Sequence, residues 1–179
     1  MSTGLLAAHS IPASACLQAL REQAVDHYVI VPDWVQLSLH DRVQAGVPGL
    51  RMINACNENQ ACTTAAGLVL GGRRPLVVMQ NQGLYNCVNT LRAVCLDARI
   101  PLVLMVGQFG REYANFGRSP TESRRVMVRL MEPLLGTMGI PFHRLESAAD
   151  LPLIGRAYRQ ARQHGTAVVL LVGAPMAWS

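Results

Sequence analysis

Lysine is missing from all 179 residues; every basic side chain among the 16 is an arginine. Without a Schiff-base lysine there is no pyridoxal-phosphate anchor and no lysine aldolase. Without a Walker lysine there is no ordinary P-loop nucleotide hydrolase. No Gly-x-Gly-x-x-Gly follows the first expected strand, which removes the dinucleotide fingerprint, and no Gly-x-Ser-x-Gly elbow supports an α/β-hydrolase. The five cysteines (Cys16, Cys56, Cys62, Cys87 and Cys95) form no Cys-x-x-Cys pair. Their apolar neighbours make them small buried thiols of a cytoplasmic protein, not a zinc site. No apolar run approaches the roughly 20 residues of a membrane span; the longest, Ala167 to Trp178, is broken by Gly173 and Pro175. Ala13 to Cys16 only faintly suggests a lipoprotein cleavage site, because no positive charge precedes it and His9, Ser10 and Pro12 interrupt the apolar stretch. The net charge of +5 comes without a basic run interleaved with aromatics, so neither nucleic acid nor a membrane is an expected partner.

What is present is a chain half hydrophobic by count, of a length that suits one compact domain over residues 1–179. Ser10 and Pro12 open a helix with Cys16, Leu20 and Ala24 on one stripe, ending near Asp26. A strand over Tyr28 to Val31 stops at Pro32 and Asp33, and a helix is expected from Trp34 to Val43. Leu50 to Ala55 reads as a strand, and Asn57 caps a helix over Glu58 to Leu70 that Gly71 and Gly72 end. Pro75 to Met79 is an unbroken apolar strand of the kind buried on both faces of a parallel sheet. It runs into a polar loop, Asn81 to Asn86. A helix over Cys87 to Ala98 precedes the strand Leu102 to Val106. The loop from Gly107 to Thr121 is long enough to suggest a binding or lid role. Helices over Glu122 to Met138 and Ala148 to Gln163 alternate with strands Phe142 to Leu145 and Ala167 to Val172. Six strands separated by helices predict an α/β protein, a three-layer α/β/α doubly wound six-stranded parallel sheet.

Glu58, with its Ala-rich helix, stands at a strand end and in the first turn of a helix, where open α/β sheets place ligands. Together with the stretch Asn81 to Asn86 and the stretch Ile100 to Gly107, it resembles the pyrimidine-binding domain of thiamine-diphosphate enzymes. Val31, Pro32 and Asp33, and the element Leu135 to Pro141, make the alpha subunit of the sulfopyruvate and phosphonopyruvate decarboxylases the nearest resemblance. The likeness runs from about residue 20 to the C-terminus.

That resemblance implies a PYR-type fold, thiamine diphosphate as cofactor, and Glu58 as the catalytic acid that shares a proton with the pyrimidine ring nitrogen. A glutamate walled by apolar residues has a raised proton affinity and can hold that proton near neutral pH, and Cys56, Ala61 and Cys62 are the expected wall. Alone, the same triplet would read as an exposed first-turn carboxylate favoured by the helix dipole. Asp33 is the second catalytic candidate, an acid near bound substrate by resemblance and a helix cap by position. Asp33 and Trp34 are also candidate substrate contacts; Trp34 stands where the resemblance leads one to expect a small polar residue, which implies a pocket of different size or one suited to a flat or apolar substrate. Gln82, Gly83 and Asn86 are candidate cofactor contacts; otherwise they are turn chemistry around the glycine. Arg111 and Arg118 of the long loop are candidate ligands for an acidic substrate, although the loop lacks the histidine of the nearest relatives. Arg125 and Arg129 with Glu122 and Glu132 read as a salt-bridged solvent face. His27 and His40 have no partner visible in the sequence.

The resemblance also implies a second chain. The Gly-Asp-Gly motif with a downstream asparagine, which would hold the diphosphate and its Mg2+, is absent here. The expected assembly is therefore a hetero-oligomer with at least two copies of each subunit. In it, this pyrimidine-binding subunit would act with a diphosphate-binding (beta) subunit on a 2-oxoacid, releasing CO2 and an aldehyde. A carboligase subunit and a non-catalytic assembly subunit are the alternatives.

Overall fold

The computed structural model describes residues 2–179, with side chains for all of these except residues 2, 3 and 5. Six strands form one sheet: β1 His27–Ile30, β2 Arg51–Asn54, β3 Pro75–Gln80, β4 Leu102–Gly107, β5 Phe142–Leu145 and β6 Ala167–Val172. Their order is β2-β1-β3-β4-β6-β5, and every pairing is parallel. The expected doubly wound sheet is thus found, with strand ends displaced by a residue or so where β1, β2, β3 and β4 are concerned.

The helices are α1 Ser2–His9, α2 Ala13–Glu22, α3 Leu37–Gln44, α4 Glu58–Leu70, α5 Asn81–Asn86, α6 Val88–Leu91, α7 Val126–Arg129, α8 Met131–Thr137 and α9 Pro152–His164. Alternation along each strand separates two cores. Tyr28, Ile30, Leu76, Val78, Met105, Leu170 and Val172 face α2, α3 and α9. Val29, Val77, Met79, Leu104, Val106, Val169 and Leu171 face α4, α6 and α8. Continuous apolar strands are what a sheet covered on both faces requires.

Several local expectations are corrected. Helix α1 precedes the first one anticipated, and Ser10 does not cap α2; its hydroxyl donates to the Pro175 carbonyl at 2.8 Å. The stretch Asn81 to Asn86 is a short helix and not a loop. After α6 the backbone widens into a π-helical turn, Arg92–Asp97. The single helix expected from Glu122 to Met138 is a 3-10 turn at Pro120–Glu122, an extended stretch, then α7 and α8. Glu132 is buried on α8 and takes the Arg144 guanidinium of β5 at 2.6 Å, so it is no part of a solvent face. Cys56 is exposed, whereas the other four cysteines are buried.

The C-terminal segment straps the loop that follows β1. The Met176 N–H donates to the Val35 carbonyl at 2.8 Å, and the Ser38 hydroxyl donates to the Met176 carbonyl at 3.1 Å.

Candidate active site

From β1 the chain crosses to the outer strand β2, and from β3 it crosses the other way to β4. The loops leaving the C-terminal ends of β1 and β3 therefore diverge, and a crevice opens between them. Asp33 lies on the loop after β1, α5 follows β3, and Glu58 begins the helix that follows β2.

Asn57, in extended conformation, caps α4: its side-chain oxygen accepts from the Gln60 N–H at 3.0 Å, while the Gln60 side chain accepts from the Cys56 N–H at 2.7 Å. Neighbouring side chains thus satisfy the helix start, and Glu58 is left free to reach across to α5. There its Oε2 accepts from the Asn86 Nδ2 at 3.1 Å. The carboxylate lies directly against Gly83. A Cβ on Gly83 would stand 2.4 Å from Glu58 Cγ and 2.5 Å from Oε1.

The expected apolar wall is one-sided. Ala61 and Cys62 are buried under the first turn of α4, but Cys56 is exposed and Glu58 itself is half-buried. The Cys62 thiol is pushed well up by its contact with Cys87 and by burial, with the charge of Glu58 adding to the effect.

Asp33 has a different setting. It is 2% exposed, and its Oδ2 would lie 2.0 Å from a Cβ on Gly107, so the glycine ending β4 makes room for it. The Val35 N–H donates to Oδ1 at 2.9 Å and the Gln36 Nε2 donates to Oδ2 at 2.8 Å. Gln36 also donates to the Met105 carbonyl at 3.2 Å, anchoring the arrangement on β4. Burial raises the Asp33 pKa to about 6 against these stabilising hydrogen bonds.

The Asp33 N–H donates to His40 Nε2 at 3.1 Å, which makes that nitrogen the acceptor and puts the ring proton on Nδ1, 2.7 Å from the Tyr28 hydroxyl. Burial lowers the His40 pKa to about 4, so the ring stays neutral. His40 therefore has partners after all, as does His27, whose Nδ1 meets Asp26 Oδ1 at 2.7 Å. Asp33, Gln36 and His40 stand at i, i+3 and i+7, a spacing that was readable as one face of a helical segment.

On α5, buried Asn81 donates to the carbonyls of Phe109 and Met127, both at 3.0 Å, and the Tyr85 hydroxyl donates to the same Met127 carbonyl at 2.8 Å. These bonds fasten the long loop and α7 to the site. Gln82 Oε1 is buried with no hydrogen-bond partner among the described residues.

Arg111 is not placed to bind substrate. Its side chain is 1% exposed and all five of its N–H groups are taken, by Asn115 Oδ1, Gln108 Oε1, Glu146 Oε1 and the carbonyls of Asn115 and Arg118. It staples the loop to Glu146. Arg118 is exposed and lines a cavity of about 420 Å³ with Glu112, Glu122, Arg124 and Arg125. Trp34 is 70% exposed; Leu37 and Phe109 are also exposed apolar side chains on segments leaving this end of the sheet.

A pyrimidine bearing an amino group needs a carboxyl to share a proton with its ring nitrogen and an acceptor for its amine. Glu58 and the orphaned Gln82 oxygen supply those two chemistries, so the ring of thiamine diphosphate fits the residues present. Among the described residues no group of three or more His, Cys, Asp or Glu could hold a metal ion. No helix among those residues is long and apolar enough to cross a membrane.

Comparison with known proteins agrees with this chemistry. Residues 13–127 match the family described as thiamine pyrophosphate enzyme, N-terminal TPP binding domain. The chain is 27% identical over 136 residues to the sulfopyruvate decarboxylase subunit alpha of Methanothermobacter thermautotrophicus, covering 76% of this chain and 79% of that one. The corresponding subunit of Methanocaldococcus jannaschii is 24% identical over 135 residues, 73% of each chain. A phosphonopyruvate decarboxylase of Streptomyces viridochromogenes is 29% identical over 103 residues, 58% of this chain but only 25% of that longer protein. Among solved structures, a 2-oxoglutarate:ferredoxin oxidoreductase from Magnetococcus marinus superposes with a TM-score of 0.72 over 91% of this chain and 28% of its own, at 14% identity, a likeness of fold.

Proposed function

The chain belongs to the thiamine pyrophosphate enzymes, within their N-terminal TPP-binding domain family, and on that premise we propose that it is the pyrimidine-binding subunit of a heteromeric 2-oxoacid decarboxylase. The relatives that match it along most of their length are alpha subunits of sulfopyruvate decarboxylase. The observation that carries the reading is the Glu58 carboxylate held between Asn86 and the bare α-carbon of Gly83 at a strand end.

Thiamine diphosphate, when bound, supplies the electron sink for loss of CO2. Glu58 holds and shares a proton at the pyrimidine ring nitrogen. Gln82 accepts from the ring's amino group, and Asn86 keeps the Glu58 carboxylate turned toward α5. Asp33, whose pKa burial raises to about 6, takes up and gives up a proton about one pH unit below neutrality, far above an ordinary aspartate. Arg118 keeps its donors free for an acidic substrate group, a role Arg111 cannot take.

The diphosphate and Mg2+ belong to a partner subunit carrying Gly-Asp-Gly and a later asparagine, in an assembly of at least two copies of each chain. Trp34, Leu37 and Phe109 give this end of the sheet the exposed apolar surface that such a partner would cover.

Glu58→Gln tests the proposal in the co-expressed pair. Assembly should persist while 2-oxoacid turnover falls about 10²–10⁴-fold, the range of a lost proton-transfer group. Undiminished turnover with Glu58→Gln would refute the assignment.

A further inference from the structure

At the opposite edge of the sheet, where β3 and β4 begin and α4 and α9 end, lies a second cavity, of about 370 Å³. Its inner wall is Val69, Pro75, Pro101, Val103, Tyr158 and Ala161, and three arginines, Arg73, Arg74 and Arg162, stand around it. Arg73 and Arg162 are exposed, while Arg74 is half-buried. Among the described residues none of the three makes an ion pair with a carboxylate. Asp26 does not line the cavity; its Oδ1 is engaged by the Arg74 backbone N–H at 2.9 Å and the His27 ring at 2.7 Å.

Arg74 is held in place. Its guanidinium carbon lies 4.9 Å from the centre of the Tyr158 ring, and that buried ring is fixed because its hydroxyl donates to the Pro75 carbonyl at 3.0 Å. Cation–π stacking of this kind sets the plane of the guanidinium. Yet Arg74 Nε is buried with no acceptor among the described residues. A charged donor desolvated without a partner is unfavourable, and an anion in the cavity removes the penalty. The C-terminal carbonyls of α4 and α9 favour cations at their ends, which accounts for the charge of Arg73 and Arg162 but leaves the Arg74 Nε unsatisfied.

We propose that this cavity binds an organic monophosphate, its phosphoryl oxygens taken by Arg73, Arg74 and Arg162 and its apolar body seated against Val69, Pro101, Val103 and Ala161. Three guanidiniums suit a tetrahedral dianion, and the inner wall offers mostly apolar contact. The cavity lies at the strand N-termini, so its occupant is not the 2-oxoacid handled at the Glu58 edge. It is a second binding site, independent of the decarboxylase reading.

The test is calorimetric titration of the full chain, at fixed ionic strength, with phenyl phosphate, phenol and inorganic phosphate. Saturable one-to-one binding of phenyl phosphate is expected, at least tenfold tighter than either fragment. The exposed double variant Arg73→Gln/Arg162→Gln should weaken it tenfold or more, as should Arg74→Gln where that chain remains folded. Absence of binding overturns the proposal. So does equal affinity for inorganic phosphate, or equal affinity in the double variant. Because the isolated chain is titrated without 2-oxoacid or partner, the outcome does not depend on whether Glu58→Gln abolishes turnover.

Discussion

Gly83→Ala is the sharpest perturbation of the candidate site because the structure separates its effect on Glu58 from its effect on the fold. The added methyl carbon would lie 2.4 Å from Glu58 Cγ, 2.5 Å from Oε1 and 2.6 Å from Cδ. Apolar contacts settle at about 3.5–4.0 Å, so the glutamate side chain must retreat by roughly 1 Å. Its 3.1 Å bond to Asn86 then stretches beyond hydrogen-bond range. The backbone is indifferent to the change, since Gly83 is helical and is not among the glycines at positive φ. Alanine in place of a helical glycine is worth roughly 0.5–1 kcal/mol in the chain's favour. In a chain of this size that moves the melting temperature by no more than about 4 °C.

A displacement of about 1 Å in a catalytic group is enough to reduce turnover by about 10²-fold. Expected together are a parent-like or slightly raised melting temperature for the chain alone and a steep loss of 2-oxoacid turnover in the assembled pair. Adding Glu58→Gln to Gly83→Ala should bring turnover no lower than Glu58→Gln alone, because both act through one carboxylate. Turnover of Gly83→Ala within twofold of the parent would refute the placement of Glu58 against Gly83. A melting temperature many degrees lower would refute the idea that the side chain is what gives way.

Asp33 and His40 should have opposing effects on stability between about pH 4 and pH 6.5. The folded pKa of Asp33, about 6, lies above its ordinary 3.8, so its contribution is complete below about pH 4 and is lost as pH rises through 6. The folded pKa of His40, about 4, lies below its ordinary 6.5, so its contribution is complete above about pH 6.5 and is lost as pH falls through 4. Each span of about two units corresponds to a change on the order of 3 kcal/mol. Urea unfolding should therefore show a nearly flat profile for the parent, a rising one with pH for Asp33→Asn and a falling one for His40→Gln; profiles parallel in all three chains would refute the linkage. Arg111→Met should cost about 3–5 kcal/mol, because it takes the donor from five acceptors around a buried guanidinium, the partly exposed Glu146 carboxylate among them, and it should open the loop from Gly107 to Thr121 to limited proteolysis. A stable Arg111→Met chain with only a raised KM would restore the substrate-binding role that the geometry denies it.

The sheet was legible because β3, β4 and β6 are nearly unbroken apolar runs and its polar punctuation falls at strand ends. β5 and β6 and helix α4 match the sequence reading residue for residue. The stretch Asn81 to Asn86 misled because a glycine between polar residues normally signals a turn, whereas Gly83 is small to admit the Glu58 side chain from another helix. Glu132 and Arg144 are 12 residues apart on different elements, so the local spacing that suggested a surface pair for Glu132 could not show the burial that joins them. The same holds for Arg111. A loop arginine carries no local sign that five acceptors, from Gln108 to Glu146, will close around it. His40 was the more avoidable omission, since its i+7 relation to Asp33 is a local pattern.

The two candidate acids differ in how complete their surroundings are. Asp33 is enclosed by Val35, Gln36, Gly107 and, through its own N–H, His40, all from this chain, and its raised proton affinity arises within this chain alone. Glu58 is walled by Ala61, Cys62 and Gly83 on one side and left half-open on the other. An acid that must keep and share a proton near neutral pH needs the second wall too. Glycine has opposite uses in the two places: Gly107 lets Asp33 be sealed in, and Gly83 lets Glu58 lie flat at the edge without being enclosed. The chain thus fixes the position of the Glu58 carboxylate, and under the proposed heteromeric reading the missing second wall is what a partner laid over its open side would add.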